Sequence, residues 1–261
     1  MGGCDSRIDR MTSYSIGAEP RFFALVPCAG SGSRAGATGP KQYQMVAGQS
    51  LVAHTLAALA QVDRLAATLV VLAPGDAGHA IAPGPTVWLA QLGGRSRAET
   101  VANGLVELRQ RGAADDDWVL VHDAARCLLR PAWVDRLIDA CIDDPVGGLL
   151  ALPLADTLKR ADGDDPAAAR VAATLPRQRI WAAQTPQMFR LGLLLRALGA
   201  LMQPALAESG PDVTDEASAV EALGLAPKLV PGDAENFKLT WPGDFGLAER
   251  LLASRQTEVP A

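Results

Sequence analysis

The sequence contains no long apolar run and no low-complexity tract, although 49% of its 261 residues are hydrophobic and 20% are charged. The lack of an apolar run argues against membrane-spanning helices, and the hydrophobic content argues against intrinsic disorder. A chain of this length can bury a complete core as one unit. We therefore expect a single globular domain over residues 21–254, a disordered extension over residues 1–20 and a short tail over residues 255–261.

Positive charge is scarce as well. The net charge is -5 at pH 7, which argues against a broad surface for nucleic acids. If the chain binds a polyphosphate, the lysine and arginine residues that meet it must therefore be gathered in a pocket. The search for function turns to local clusters of charge.

The sequence also lacks closely spaced cysteines and a secretory signal. Its cysteines are too far apart for a Cys-x-x-Cys metal site, since they are Cys4, Cys28, Cys127 and Cys141. The first 20 residues mix polar and small types and contain no apolar segment of the kind that signal peptides carry. We therefore expect reduced thiols and a cytoplasmic protein.

Short apolar runs that predict strands alternate with amphipathic runs that predict helices. The predicted strands are residues 22–27, 68–72, 118–121 and 149–152. Ser96 and Glu99 form a capping-box pattern before one helix, and Pro131 begins another. Further helical patterns cover residues 51–59, 191–202, 214–223 and 244–253. The alternation predicts an α/β fold with a doubly wound, mainly parallel sheet and with ligands at the carboxyl ends of its strands.

Residues 157–181 depart from this alternation. They carry charges, a proline and an alanine run, and they fit neither a core helix nor a core strand. We expect them to form a projecting arm. Because the arm has too little apolar periodicity to pack on its own sheet, we expect it to cross to a twofold-related copy of the chain.

The loop after the first predicted strand has the composition of a phosphate-binding loop. It reads PCAGSGSR from Pro27 and is followed by PKQY from Pro40. Small residues let backbone N–H groups approach a triphosphate, while Arg34 and Lys41 supply positive charge. The dinucleotide fingerprint is rejected because no acidic residue follows at the required distance, and the Walker loop because Lys41 lacks its flanking residues. A flexible surface turn with two solvated cations remains the alternative.

An acidic residue follows a later buried strand, in the segment VHDAAR. At the carboxyl end of a strand, Asp123 is placed to bind a ribose hydroxyl, a substrate hydroxyl or a metal-phosphate complex. The alternative is that Asp123 caps a helix. For His122 we prefer the bland interpretation, in which its ring satisfies hydrogen bonds in the core.

Eight segments together resemble the 2-C-methyl-D-erythritol 4-phosphate cytidylyltransferase family. In chain order they are PCAGSGSR, PKQY, GGRSRAETV, VHDAAR, ADTLKR, QTPQMF, VTDEAS and NFKLT, and the resemblance extends from Phe22 to about Leu252. It implies a Rossmann-like sheet of the nucleotidyltransferase type with a β-arm for dimerisation. It also implies an enzyme of non-mevalonate isoprenoid synthesis that transfers CMP from CTP to 2-C-methyl-D-erythritol 4-phosphate and releases pyrophosphate.

The resemblance implies a role for each matching residue. Arg34, Lys41 and Asp123 are implied to be catalytic, with the two cations stabilising the transition state. The implied CTP-binding residues are Pro27, Cys28, Ala29, Gly30, Ser31, Gly32, Gly94, Arg95, Arg97, Thr100, Asp123 and Ala124. The implied acceptor-binding residues are Asp123, Thr157, Arg177, Thr185, Thr214 and Lys238. Mg²⁺ or another divalent cation is expected to be held mainly by the triphosphate, with Asp123 as the candidate protein ligand.

Alternatives accompany these assignments. The threonines could simply cap turns or helices, and Arg177 and Lys238 could be solvated surface charges. A ribitol-phosphate or another sugar-phosphate cytidylyltransferase of the same fold is the nearest alternative function, followed by a nucleotide-binding protein without catalysis. Because few residues follow the last predicted helix, we expect one activity, carried out by a homodimer without nucleic-acid or membrane partners. Three sites depart from the family pattern: Cys28, Cys127 and the segment with Trp241.

Overall fold

The computed structural model describes residues 19–30, 39–78, 81–82, 84–165, 167–201 and 214–257. The strands are β1 (Phe22–Cys28), β2 (Met45–Val46), β3 (Gln49–Ser50), β4 (Leu65–Leu72), β5 (Val87–Ala90), β6 (Trp118–Val121), β7 (Gly147–Pro153), β8 (Leu158–Ala161), β9 (Val171–Leu175), β10 (Trp181–Arg190) and β11 (Lys228–Pro231). The α-helices are α1 (Leu51–Leu59), α2 (Arg97–Gln110), α3 (Pro131–Cys141), α4 (Leu191–Leu201), α5 (Glu216–Glu221) and α6 (Pro242–Thr257). One turn of 3₁₀-helix covers Lys41–Tyr43.

A seven-stranded sheet lies at the centre of the fold, with the strand order β11-β7-β10-β6-β1-β4-β5. β10 runs antiparallel to both of its neighbours, and the other strand pairs of this sheet are parallel. In the register of the sheet, Leu25 of β1 lies opposite Leu69 of β4 and Val121 of β6. The predicted α/β fold with a mainly parallel sheet is confirmed.

Side chains that alternate along β1 enter two cores on opposite faces of the sheet, because successive side chains of a strand point in opposite directions. Phe23 and Leu25 pack with buried residues of α2, α4 and α5. Ala24 and Val26 pack with buried residues of α1 and α3. Replacing a buried leucine such as Leu25 by alanine typically costs about 2–5 kcal/mol. Helices on both faces confirm the doubly wound prediction, and loops occupy the ends of the strands.

Ser96 begins α2 as the capping pattern predicts, but only half of the predicted capping box forms. The Ser96 hydroxyl accepts a hydrogen bond from the backbone N–H of Glu99 at 3.1 Å, which satisfies a donor of the first helical turn. The Glu99 carboxylate accepts from the backbone N–H of Arg95 at 2.9 Å and not from that of Ser96. The acid therefore stabilises the loop that precedes the helix.

The segment expected to project is an antiparallel hairpin of β8 and β9, which forms a sheet of its own. Most of its side chains are exposed, and Val171 is 63% exposed. Trp181, which was expected to end the arm, instead begins β10 of the central sheet. The part played by this hairpin in dimerisation stays a prediction.

Among the strands of the central sheet, the sequence patterns do not predict β5, β10 and β11. β5 and β11 are short edge strands with partly exposed side chains, so their apolar signal is weak. β10 contains Pro186, and a proline usually argues against an inner strand because it has no N–H to donate. The pairing of β10 with β7 is interrupted between Ala183 and Gln187, which accommodates the proline.

The observed bounds of the last two helices differ from their predicted ranges. Helix α5 is shorter than its predicted range, whereas α6 is longer and includes residues 255–257, which were expected in the tail. Of the expected extension, residues 1–18 lie outside the described residues. Within the part of the chain that the structure describes, no helix is both long and apolar enough to cross a membrane.

Candidate active site

Two adjoining cavities lie at the carboxyl ends of the inner strands β1 and β6. The larger, of about 480 Å³, is lined by the loop after β1, the loop before α2, the segment after β6, and the side chains of Lys41 and Lys238. The smaller, of about 220 Å³, is lined by residues of β10 and of the segment before α5. Both cavities share Arg97, Asp123 and Lys238. The shared wall therefore carries two cations and one acid.

Asp123 lies at the centre of this wall, and each oxygen of its carboxylate accepts a hydrogen bond from a positively charged side chain. Its Oδ1 accepts from Nε of Arg97 at 2.8 Å, and its Oδ2 accepts from Nζ of Lys238 at 2.7 Å. The remaining nitrogens of Arg97 donate to Glu216, from Nη1 at 2.6 Å and from Nη2 at 3.0 Å. Four charges of alternating sign thus form a continuous chain across the site.

These neighbours determine the charge of Asp123. Burial raises the pKa of its carboxyl, but the positive charges of Arg97 and Lys238 and their hydrogen bonds outweigh burial and bring that pKa well below its usual range. Burial lowers the pKa of Arg97, and the charges of Glu216 and Asp123 more than reverse this effect. Asp123 is consequently an anion at neutral pH, suited to orienting cations and unsuited to accepting a proton.

His122 is wholly buried behind Asp123, and burial lowers the pKa of its ring to about 4. The ring is therefore neutral at pH 7. Its Nε2 lies 3.2 Å from the carbonyl of Arg126, and because a carbonyl only accepts, Nε2 carries the proton. Its Nδ1 then accepts from the hydroxyl of Thr185 at 3.0 Å, and that hydroxyl accepts from the backbone N–H of Asp123 at 3.1 Å. The preferred interpretation of His122 as a hydrogen-bonding residue of the core is confirmed.

The loop after β1 presents its backbone to the larger cavity. Pro27, Ala29 and Gly30 line it. The side chain of Cys28 is 2% exposed and packs in the core, and its carbonyl accepts from the Gln42 side chain at 2.7 Å. Any contact of Cys28 with a ligand is therefore limited to its backbone. The predicted site residues Ser31, Gly32 and Arg34 lie outside the described residues.

Lys41 reaches the same cavity from the turn of 3₁₀-helix. Its ammonium group donates to the carbonyl of Leu239, next to Lys238. Leu239 is itself wholly buried in a small core with Cys127 and Leu128. That core anchors the segment that carries Lys238, so the two lysines are brought together although they are far apart in the sequence.

The loop before α2 forms the rim of the larger cavity. The hydroxyl of Thr100 donates to the carbonyl of Ser96 at 2.9 Å and accepts from the backbone N–H of Gly94 at 3.0 Å. A Cβ atom at Gly94 would lie 2.4 Å from Cγ of Glu99, so a larger residue there would force Glu99 to shift. Thr100 is 2% exposed and acts on the loop, whereas the side chain of Arg95 is 94% exposed. The loop thus presents a fixed backbone to whatever enters the cavity.

The residues predicted to bind the acceptor fall into two groups. Thr185, Thr214 and Lys238 line the smaller cavity together with Asp123. Thr157 and Arg177 lie beside the hairpin, are exposed, and are absent from the described lining of both cavities. One chain therefore assembles only part of the predicted set.

Several residues of the site have no role predicted from the sequence, although they lie inside the eight matching segments. Glu216 follows Thr214 and Asp215 in the segment VTDEAS, and Gln187 lies within the segment QTPQMF. Asn236 is wholly buried and donates from Nδ2 to the carbonyl of Thr185 at 2.8 Å. Their position within the segments was the available signal, but their partners lie too far away along the chain to be read from a local pattern.

Residues 22–254 match the family described as IspD, 2-C-methyl-D-erythritol 4-phosphate cytidylyltransferase. The chain belongs to this family. It is 52% identical over 236 residues to the 2-C-methyl-D-erythritol 4-phosphate cytidylyltransferase of Paraburkholderia phytofirmans, with 89% of this chain and 96% of that protein covered. A crystal structure described as 4-diphosphocytidyl-2C-methyl-D-erythritol synthase has a TM-score of 0.77 and 40% identity, with 90% of this chain and all of the other covered.

A further relative is described as a bifunctional enzyme. The chain is 59% identical over 240 residues to the bifunctional enzyme IspD/IspF of Albidiferax ferrireducens, with 91% of this chain covered. It spans only 54% of the length of that protein. The match therefore relates this chain to part of the bifunctional enzyme.

In the described lining of the larger cavity of this cytidylyltransferase-family chain, Asp123 supplies the one carboxylate, a metal ligand of the hard oxygen type, and the smaller cavity adds Asp215. Among the described residues, no group of three or more His, Cys, Asp or Glu side chains is arranged to hold a metal ion. Mg²⁺ in nucleotide sites usually binds one or two carboxylates together with substrate phosphates and water. A single acid beside an open cavity fits an ion of that kind.

Proposed function

We propose that the chain transfers CMP from CTP to 2-C-methyl-D-erythritol 4-phosphate, giving 4-diphosphocytidyl-2-C-methyl-D-erythritol and pyrophosphate. The observation that carries the proposal is Asp123, held between Arg97 and Lys238 on the wall that two adjoining cavities share. A transferase of this kind must bring two phosphorylated substrates to one point, and two cavities with a common charged wall suit that task.

CTP occupies the larger cavity in this proposal. Its volume of about 480 Å³ lies within the usual range for small-molecule sites. Backbone groups of residues 27–32 approach the phosphates, Lys41 and Arg34 supply positive charge, and Ala124 lies beside the nucleotide. The loop of Gly94, Arg95 and Arg97, supported by Thr100, faces the cytosine.

The acceptor phosphate occupies the smaller cavity. Asp123, Thr185 and Thr214 surround the acceptor molecule in this cavity, and Lys238 binds the phosphate group of the acceptor. The side chain of Lys238 is 45% exposed, so its ammonium group can turn towards an incoming anion while Arg97 still holds Asp123. The proposal has Thr157 and Arg177 reach this cavity from the hairpin of a second copy of the chain, in a homodimer.

The acceptor phosphate is already an anion, so the reaction needs no general base. The difficulty is that an anion must approach the α-phosphate in line with the departing pyrophosphate. Lys41 and Arg34 offset negative charge at the α-phosphate and pyrophosphate, while Lys238 and Arg177 align the acceptor. Mg²⁺, held mainly by the triphosphate and by Asp123, supplies further charge neutralisation when bound.

Three buried free thiols, at Cys28, Cys127 and Cys141, support the reducing cytoplasm as the site of action.

The direct test is the release of pyrophosphate from CTP and Mg²⁺ with two acceptors in parallel. We expect turnover with 2-C-methyl-D-erythritol 4-phosphate and little with ribitol 5-phosphate, with a Lys41→Ala variant as the inactive control. Preference for ribitol 5-phosphate would assign the chain a different acceptor. CTP binding without release with either acceptor would contradict the proposal of catalysis.

A further inference from the structure

Glu216 is a buried carboxylate for which the proposed reaction has no direct use. It is 1% exposed, and both of its oxygens accept from Arg97, at 2.6 Å and 3.0 Å. Glu216 is not among the described residues that line either cavity. A buried carboxylate is costly unless it is paired and hydrogen-bonded, so this residue is committed to Arg97.

The position of Glu216 is fixed by strand β10. Asp215 caps α5 by accepting from the backbone N–H of Ser218 at 2.9 Å. Gln187 of β10 holds the residues on both sides of Glu216, because its Oε1 accepts from the N–H of Ala217 at 2.8 Å and its Nε2 donates to Asp215 at 2.9 Å. The Glu216 carboxylate therefore projects from a segment that Gln187 holds at the residues on both sides.

Arg97 transmits this position to the centre of the site. A guanidinium group is planar and its donors form a rigid fork, so fixing the two Nη atoms also fixes the direction of Nε. Nε then meets one oxygen of Asp123 and leaves the other to Lys238. Without Glu216 the fork could turn and bind both oxygens of Asp123, which is the favoured geometry of an isolated arginine-carboxylate pair.

We propose that Glu216 is a positioning residue that links the acceptor cavity to the CTP cavity through Arg97. The link starts in α5, just after Thr214 of the smaller cavity, and ends at the first residue of α2, beside the loop that rims the larger cavity. The inference rests on the proposed function, since it assigns CTP to the larger cavity. Its consequence is that loss of the Glu216 charge weakens CTP binding in the absence of any acceptor, although Glu216 does not line that cavity.

The test compares Glu216→Gln with Glu221→Gln, which removes the same charge from an exposed position of the same helix. The dissociation constant of CTP with Mg²⁺ is measured by equilibrium titration without acceptor, well below the Tm of each variant. We expect Glu216→Gln to raise Kd about tenfold or more, where each tenfold step is about 1.4 kcal/mol. Glu221→Gln should stay within about twofold of wild type, a difference that corresponds to only about 0.4 kcal/mol.

A second variant covers the case in which Glu216→Gln does not fold. Glu216→Asp keeps the charge but shortens the side chain by one methylene, so it cannot hold both Nη atoms in place, and Kd should again rise severalfold. Equal CTP binding by the foldable Glu216 variant and Glu221→Gln would overturn the proposal, because a merely structural role lowers Tm without changing Kd. A wild-type chain that does not bind CTP would overturn the proposed function itself, and this inference with it.

Discussion

Replacement of Asp123 by asparagine removes the common anchor of the two cations at the site. The amide keeps the size of the carboxylate, but its NH₂ group cannot accept from Arg97 or Lys238, which donate at 2.8 Å and 2.7 Å in the wild type. One of the two cations must therefore move. We expect kcat for pyrophosphate release to fall by about 100-fold or more, the usual effect of losing one preorganised charge contact.

The stability of the Asp123→Asn variant should fall less than that of a typical broken buried ion pair. A hydrogen bond to a charged group contributes about 1.5–3 kcal/mol, and two are altered here. Arg97 keeps its partner Glu216, and Lys238 is 45% exposed, so water can hydrate its charge. We expect a net loss of about 2–3 kcal/mol, which lowers Tm by about 4–12 °C for a chain of this size.

The pH dependence of this difference tests the charge of Asp123. Burial raises the pKa of the carboxyl, but Arg97 and Lys238 bring it well below its usual range. Its stabilisation is therefore fully present above the unfolded pKa of about 3.9 and is lost as the pH falls towards the folded pKa. The difference in unfolding free energy between wild type and Asp123→Asn should stay constant between about pH 5 and pH 8, because the Asp123 carboxyl is ionised in both the folded and the unfolded state over that range.

Urea unfolding at the two pH values and pyrophosphate release at neutral pH supply the measurements. A stability difference that grows on going from pH 8 to pH 5 would refute the depressed pKa, because a folded-state pKa raised into this range stabilises the folded protein as the pH falls. Turnover within tenfold of wild type would refute the anchoring role.

Three further predictions concern charge, the partner chain and the base. Lys41→Ala and Arg34→Ala should each lower kcat by about 1000-fold with a small change in Tm; near-normal turnover would remove them from the mechanism. Arg177→Ala should raise KM for the acceptor and leave CTP binding unchanged. A mixed dimer of Lys41→Ala and Arg177→Ala chains would contain one intact site. At an acceptor concentration well below the raised KM of Arg177→Ala, where both parents are nearly inactive, random exchange should therefore restore about a quarter of wild-type activity; no recovery in verified mixed dimers would place Arg177 in the site of its own chain. UTP should be a poor donor, since each unpaired group at the buried base costs about 1–3 kcal/mol, and equal use of CTP and UTP would show that residues 94–100 do not distinguish the bases.

Local patterns predict the elements whose determinants are contiguous in the sequence. The bounds of β6 and α1 agree with their predicted ranges, and Pro131 begins α3 as expected. In each case an apolar run or a helix-starting residue contains the whole signal. β10 escapes prediction because its proline is tolerated only through irregular pairing with β7, which depends on a distant strand.

The candidate site divides in the same way. Asp123 is identified by its place after a strand, but Glu216 is not, because its partner Arg97 lies 119 positions away. The burial of the Cys28 side chain also depends on helices that pack on the sheet from elsewhere in the chain. Thr157 and Arg177 are separated from the cavities of their own chain, and no pattern within one chain describes the surroundings that a second copy would provide.

The hydrogen-bond arrangement behind Asp123 has a consequence for the way the site responds to acidity. The ring of His122 stays uncharged because burial lowers its pKa to about 4, Asp123 stays ionised, and Arg97 keeps its proton. Between about pH 5 and pH 8 these three groups do not titrate, so the charges that they present to the site stay constant. A phosphate monoester has its second ionisation near pH 6. Within this range it is the acceptor that changes its charge, and the sensitivity of the reaction to acidity is carried into the cavity by the substrate.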